Sequence, residues 1–192
     1  MLTLLARLWL KLWRFTAVEP PEAVPARCVM IAAPHTTNWD FPIMLALTKV
    51  LGVRVSWLGK RSLFKGPMGP VMRRLGGVAI DRSAPGGMVS ALARELTSSE
   101  RMVLMVPAEG TRSKTEYWKS GFYRIAVDAH LPIVLAFVDS NTRTGGFGPS
   151  VTPSGDIGAD MAKIRAFYEG MEGLKPGNFG PVRLKEEDVP QE

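Results

Sequence analysis

Cysteine, histidine and acidic charge are all scarce in this chain of 192 residues. The one cysteine, Cys28, excludes an internal disulfide and a metal site built from thiolates alone, and it suits a reducing compartment. It lies in the apolar run "CVMIAA", where a small buried side chain is the plain reading. The 2 histidines, His35 and His130, are far apart and form no ligand cluster, so no metal is expected. Acidic residues number 18 against 24 Lys and Arg, a net charge of +6. That excess favours an anionic partner: nucleic acid, an acidic bilayer surface or a phosphorylated substrate. Repeats and low-complexity tracts are absent. What is there is an ordinary globular balance, 46% hydrophobic and 22% charged, of a length that suits one domain.

A long hydrophobic run is also missing. The opening stretch "MLTLLARLWLKLWRFTA" spans about 26 Å as a helix, short of the roughly 30 Å hydrocarbon core. Arg7, Lys11 and Arg14 form a narrow basic stripe, and Leu2, Leu5, Leu8, Trp9, Leu12 and Trp13 fill the rest of the circumference. Spanning would bury those cations, whereas lying flat presents them to headgroups. No basic stretch precedes the apolar run, which argues against a secretory signal. Residues 1–18 are therefore expected to be an amphipathic helix on a membrane surface; packing on its own domain is the alternative.

After a proline-rich connector at 19–27, apolar runs at 28–34, 53–59, 78–82, 102–107 and 132–139 predict strands. Helices are predicted at 40–51, 86–98 and 121–131, with a last one at 158–170. The alternation indicates an α/β fold: a single domain over 19–180 with a mixed, largely parallel sheet flanked by helices. Residues 140–158, rich in Gly, Pro, Ser and Thr, predict a long loop with at most a short strand at "FGPSVT"; 181–192 predict a solvated tail. His130, at a helix end, reads as complementing the helix dipole.

Three stretches carry candidate chemistry. In "PHTTNWD" (34–40), five residues separate His35 from Asp40, about 140° on a helix, so they cannot share a helical face. They meet if His35 lies in the turn before a helix and Asp40 in its first turn, with Thr36, Thr37 or Asn38 as N-cap. An Asp on one imidazole nitrogen fixes the tautomer and leaves the other nitrogen as a base; a polar pair closing a turn is the alternative. In "PAEGTRS" (107–113), Gly110 allows a tight turn after a strand, Arg112 offers a planar fork to an anion, and Glu109 can orient that arginine or meet an acceptor hydroxyl. In "GGVAIDR" (76–82), Arg82 stands at a strand end facing a potential ligand crevice. A basic cluster, Lys60, Arg61, Lys65, Arg73 and Arg74, lies between the first and third of these along the chain and suits coenzyme A phosphates, anionic lipid or a plain solvated face.

In this order the stretches resemble the glycerolipid acyltransferase family, the 1-acylglycerol-3-phosphate acyltransferase-like proteins. The family's His-x4-Asp is matched by His35 to Asp40, its Gly-x-Ile-x-Ile-x-Arg-like motif by Gly76 to Arg82, its Glu-Gly-Thr-Arg-Ser by Glu109 to Ser113, and its apolar Pro-containing strand by "LPIVLAF" at 131–137. The usual Phe-Pro-Glu-Gly is here Pro107-Ala108-Glu109-Gly110, and Pro34 replaces the usual Asn before the histidine.

The resemblance implies a glycerol-3-phosphate acyltransferase-like fold over 19–180. It implies an enzyme that moves a fatty acyl group from an acyl thioester, acyl-CoA or acyl-ACP, to a hydroxyl of a lysophospholipid or related polar lipid. His35 would be the general base held by Asp40. Arg82, Glu109, Gly110, Thr111 and Arg112 would bind the acceptor. No cofactor beyond the thioester co-substrate is implied, and the site of work would be the cytoplasmic face of a membrane, held peripherally. Acyl carrier protein is a potential partner; nucleic acid is not expected, since no recognition motif accompanies the charge. Thioester hydrolysis at the same residues, nucleic-acid or anionic-surface binding, and an inactive scaffold are the competing readings.

Overall fold

The computed structural model describes residues 2–59, 61–79 and 87–188. Seven strands build one sheet: β1 (Thr16–Val18), β2 (Arg27–Ala33), β3 (Ser56–Gly59), β4 (Gly77–Ala79), β5 (Met102–Val106), β6 (Ile133–Asp139) and β7 (Thr144–Val151). Their order is β1-β7-β6-β2-β5-β3-β4, and only β6 and β7 pair antiparallel. This is the mixed, largely parallel sheet that the alternation predicts.

The helices are α1 (Leu2–Leu12), α2 (Asp40–Val50), α3 (Gly69–Arg74), α4 (Gly87–Ser98), α5 (Gly121–Ala129) and α6 (Ile157–Tyr168), with a short 3-10 turn at Arg61–Phe64. The central strands are apolar on both faces because both are covered, as a parallel sheet requires. Val29, Ile31, Leu104, Ile133 and Leu135 pack on one side with Leu96 of α4, Phe122 of α5 and Ile164 of α6. Cys28, Met30, Met105, Val134 and Ala136 pack on the other with Leu10 of α1 and Ile43 and Leu47 of α2. Burial pushes the Cys28 thiol up to about 12, which removes it as a nucleophile.

Three sequence expectations need correction. The opening helix ends at Leu12 rather than running to 18: Arg14 turns with φ +58°, and Thr16–Val18 form the edge strand beside β7. The expected loop at 140–158 contains an eight-residue strand, β7. Its glycines disguise it, yet they are there for close approach: a Cβ on Gly146 would stand 2.3 Å from the Val18 carbonyl oxygen, and one on Gly148 2.3 Å from the Phe167 ring. The expected solvated tail is packed over 181–188. Val182 and Leu184 are buried, Leu184 bridges to Trp118, and Arg165 donates to the Val182 carbonyl and pairs with Glu187. His130 stands at the end of α5 as expected, in the left-handed conformation with φ 53°, its N–H donating to the Val127 carbonyl.

The first helix does two things. Ala6 and Leu10 are buried on the domain, while Leu4, Leu8 and Leu12, successive turns of one face, stay exposed, Leu12 at 75%. Arg7 and Lys11 are exposed between those faces. Among the described residues no helix is long and apolar enough to cross a membrane.

Candidate active site

The site lies at the carboxyl ends of the neighbouring parallel strands β2 and β5, where an open α/β sheet leaves a crevice. The chain leaves β2 through a cis Ala33–Pro34 peptide and turns at His35–Trp39 into α2. Asp40 is the first residue of that helix and is buried at 4% exposure. Its Oδ2 accepts the backbone N–H groups of Thr36 and Thr37, both at 2.6 Å, and its Oδ1 accepts the Thr37 hydroxyl at 3.1 Å. The carboxylate thus ties the turn together and sits where the helix dipole favours negative charge.

The same Oδ2 lies 3.5 Å from His35 Nδ1. His35 and Asp40 therefore meet at a turn-to-helix junction, as the spacing requires. The capping expectation fails in detail: Trp39 is the N-cap without a side-chain bond, and Thr37 instead accepts the Trp39 N–H at 3.1 Å. The His35 side chain, 23% exposed, lines the crevice.

Glu109 follows β5 and is 2% exposed. Its two carboxylate oxygens accept the backbone N–H of His35 at 3.0 and 2.9 Å. Burial raises its pKa to about 7, although the hydrogen bond from His35 opposes the rise. The expectation that Glu109 orients Arg112 is not met. Arg112 is exposed and donates to Asn38 Oδ1 of the histidine turn. Gly110 adopts φ +69°, and a Cβ there would press on the Lys119 side chain at 2.8 Å, so the turn needs glycine. Thr111 is exposed beside it, its hydroxyl accepting the Ser113 N–H at 3.3 Å. Ala108 is fully buried, and its carbonyl accepts the Lys119 N–H at 2.8 Å. The residue that departs from the family pattern is thus absorbed into the core, and Glu109 still reaches the histidine turn. Arg82 lies outside the described residues.

The sequence reading misses a clamp from far along the chain. Asn178 donates through one amide to the carbonyls of Thr36, at 3.2 Å, and Arg112, at 2.8 Å. Lys175 N–H reaches the Thr36 hydroxyl at 3.1 Å, and Gly173 packs so close that a Cβ would stand 2.4 Å from the Thr36 methyl. Backbone-directed contacts of this kind leave no periodic signal; only the Gly and Asn themselves hint at them.

From His35 a cavity of about 370 Å³ runs beneath the turn. His35, Asn38, Asp40 and Arg112 form its polar end, and Phe41, Met44, Trp57, Leu63, Met72 and Met105 much of its apolar wall. The arrangement places a histidine where polar lining meets apolar lining, a layout suited to a substrate with a polar head and a chain. Among the described residues no group of His, Cys, Asp and Glu is arranged to hold a metal ion.

Comparison with curated proteins finds no match. A solved structure, the 1-acyl-sn-glycerophosphate (LPA) acyltransferase PlsC from Thermotoga maritima, has a TM-score of 0.60, covers 91% of this chain and 78% of its own, and is 18% identical; the two share a fold. A family model described as Acyltransferase matches residues 16–137, well over half of the chain and all of the His35–Asp40 and Glu109–Arg112 segments, and the chain belongs to the acyltransferase family.

Proposed function

We propose that this acyltransferase moves a fatty acyl group from an acyl thioester to a hydroxyl of a lysophospholipid, of the kind named for the Thermotoga neighbour, at the cytoplasmic surface of a membrane. The observation that carries the reading is the pairing of His35 with Asp40 at the polar end of an apolar cavity. In the proposed step His35 takes the proton of the acceptor hydroxyl on Nε2 as that oxygen attacks the thioester carbonyl. The new C–O bond forms, the C–S bond breaks, and the departing thiolate collects the proton from the imidazolium. Asp40 holds Nδ1 and supports the transient positive charge. A free thiol has a pKa near about 8.5, so the leaving group needs little acid assistance.

Arg112, Gly110 and Thr111, with Arg82, are proposed to receive the acceptor's phosphate; Glu109 acts behind them by fixing the histidine turn. The apolar cavity receives an acyl chain. Coenzyme A and acyl carrier protein are both suitable thiol carriers. The exposed leucine face and basic stripe of α1 suit peripheral attachment to an anionic bilayer. Phospholipid biosynthesis is the process such a reaction serves.

Thiol release from palmitoyl-coenzyme A, measured with lysophosphatidate, other lysophospholipids, glycolipids or no acceptor, tests the reading. Release that depends on lysophosphatidate supports it. Equal release without acceptor identifies a hydrolase instead.

A further inference from the structure

The segment from residue 60 to 79 holds five cations, Lys60, Arg61, Lys65, Arg73 and Arg74, and no Asp or Glu. Within it, α3 turns Gly69 and Met72 toward the domain, and Met72 lines the apolar cavity. Beside that face, Met68, Val71 and Leu75 follow i, i+3, i+7 and are exposed at 54%, 46% and 42%. Three large apolar side chains on so short a helix and its two caps need a reason, since nothing among the described residues covers them. Leu63, in the preceding 3-10 turn, is exposed and also lines the cavity, so this segment carries apolar surface both outward and into the cavity wall. Around it stand Lys65, Arg73 and Arg74, all exposed and, among the described residues, in no ion pair.

An apolar stripe in a segment whose only charges are cations complements one kind of surface well: acyl chains beneath anionic headgroups. We propose that the segment 61–75 is a second bilayer-contacting element, distinct from α1. Met68, Val71 and Leu75 enter the acyl-chain boundary of an anionic leaflet, while Lys65, Arg73 and Arg74 meet its phosphates. The mouth of the cavity at Leu63 then opens into lipid, so a chain enters without crossing water. This rests on the reading that the substrates are membrane lipids, and it extends that reading by assigning the entrance.

A labelling experiment separates the two. Cys28 is fully buried, so a cysteine introduced as Val71→Cys, or separately as Leu8→Cys on α1, takes an environment-sensitive fluorophore selectively. The probes are vesicles of phosphatidylcholine doped with phosphatidylglycerol, with and without spin-labelled acyl chains. A blue shift and spin-label quenching at position 71 supports the proposal. Response at position 8 alone overturns it and leaves α1 anchoring intact. Response at neither overturns the membrane reading as well. A shift at position 71 on adding coenzyme A without vesicles marks a donor contact and also overturns the proposal. As a functional check, Val71→Asp with Leu75→Asp is expected to lower turnover of vesicle-presented acceptor about tenfold while sparing a soluble short-chain acceptor. Equal loss on both acceptors contradicts it.

Discussion

The backbone N–H of His35 is shared between both carboxylate oxygens of Glu109, at 3.0 and 2.9 Å, although the two residues lie 74 positions apart. The strand end that carries the family's glutamate thereby fixes the turn that carries its histidine. Glu109→Ala removes this tether and is expected to lower turnover more than it raises KM. Leaving the buried N–H unsatisfied costs about 1–3 kcal/mol. Steady-state kinetics beside a urea melt check both.

Glu109 also gives the stability a pH dependence with a definite sign. Its pKa is about 7 in the folded protein against 4.5 for the free group, so the folded state binds the proton more tightly. The associated stability is fully present below about 4.5 and is lost as pH rises through about 7, an effect on the order of 3 kcal/mol. Glu109→Gln keeps an acceptor for His35 and abolishes the titration. Urea melts between about pH 5 and pH 8 should show a flatter stability profile for this variant than for the native chain. Identical slopes contradict the assignment.

Asn178 joins the His35 turn to the Arg112 loop through two carbonyls. Asn178→Ala is expected to cost about 1–2 kcal/mol of stability and to weaken binding of a phosphorylated acceptor. A raised KM for acceptor, with the KM for donor unchanged, is the signature to look for.

Trp39 packs in tilted ring contacts on Trp9 of α1 and on Trp13 just past its end, with ring centroids 6.2 and 5.2 Å away, while remaining 52% exposed. The residue beside Asp40 is thus held by the helix proposed to lie on the bilayer. Trp39→Ala removes ring contacts worth about 0.5–1.5 kcal/mol each and should loosen α1. Faster proteolysis within residues 2–14, and a larger loss of activity on vesicles than on soluble acceptor, would report it.

Much of this arrangement is legible in the sequence, and the illegible parts share a cause. The runs "CVMIAA" and "MVLMV" announce strands because central parallel strands are buried on both faces. His35 and Asp40 are readable because a side-chain pair at a turn needs a fixed spacing. By contrast, β7 hides behind Gly145, Gly146 and Gly148, where steric demand from neighbours outweighs strand propensity. The clamp of Lys175 and Asn178 acts on backbone and hydroxyl groups more than 130 positions away, a contact no local pattern encodes. Glu109 is visible as a residue but not in its role, because its bond is to a main-chain N–H rather than to Arg112.

Asp40 separates structure from chemistry. Asp40→Asn retains an oxygen to accept the Thr36 and Thr37 N–H groups but loses the charge beside His35 Nδ1. Turnover is expected to fall about a hundredfold or more with only a small change in melting temperature. A loss of folding in step with activity would make Asp40 a turn residue alone.

The central claim is that His35 is the base. Its most direct test is acceptor-dependent thiol release by His35→Ala, with palmitoyl-coenzyme A and lysophosphatidate, on protein whose circular dichroism and melting temperature match the native chain. The account predicts a fall of about a thousandfold, with acceptor binding retained. Turnover near the native rate in that folded variant would contradict it.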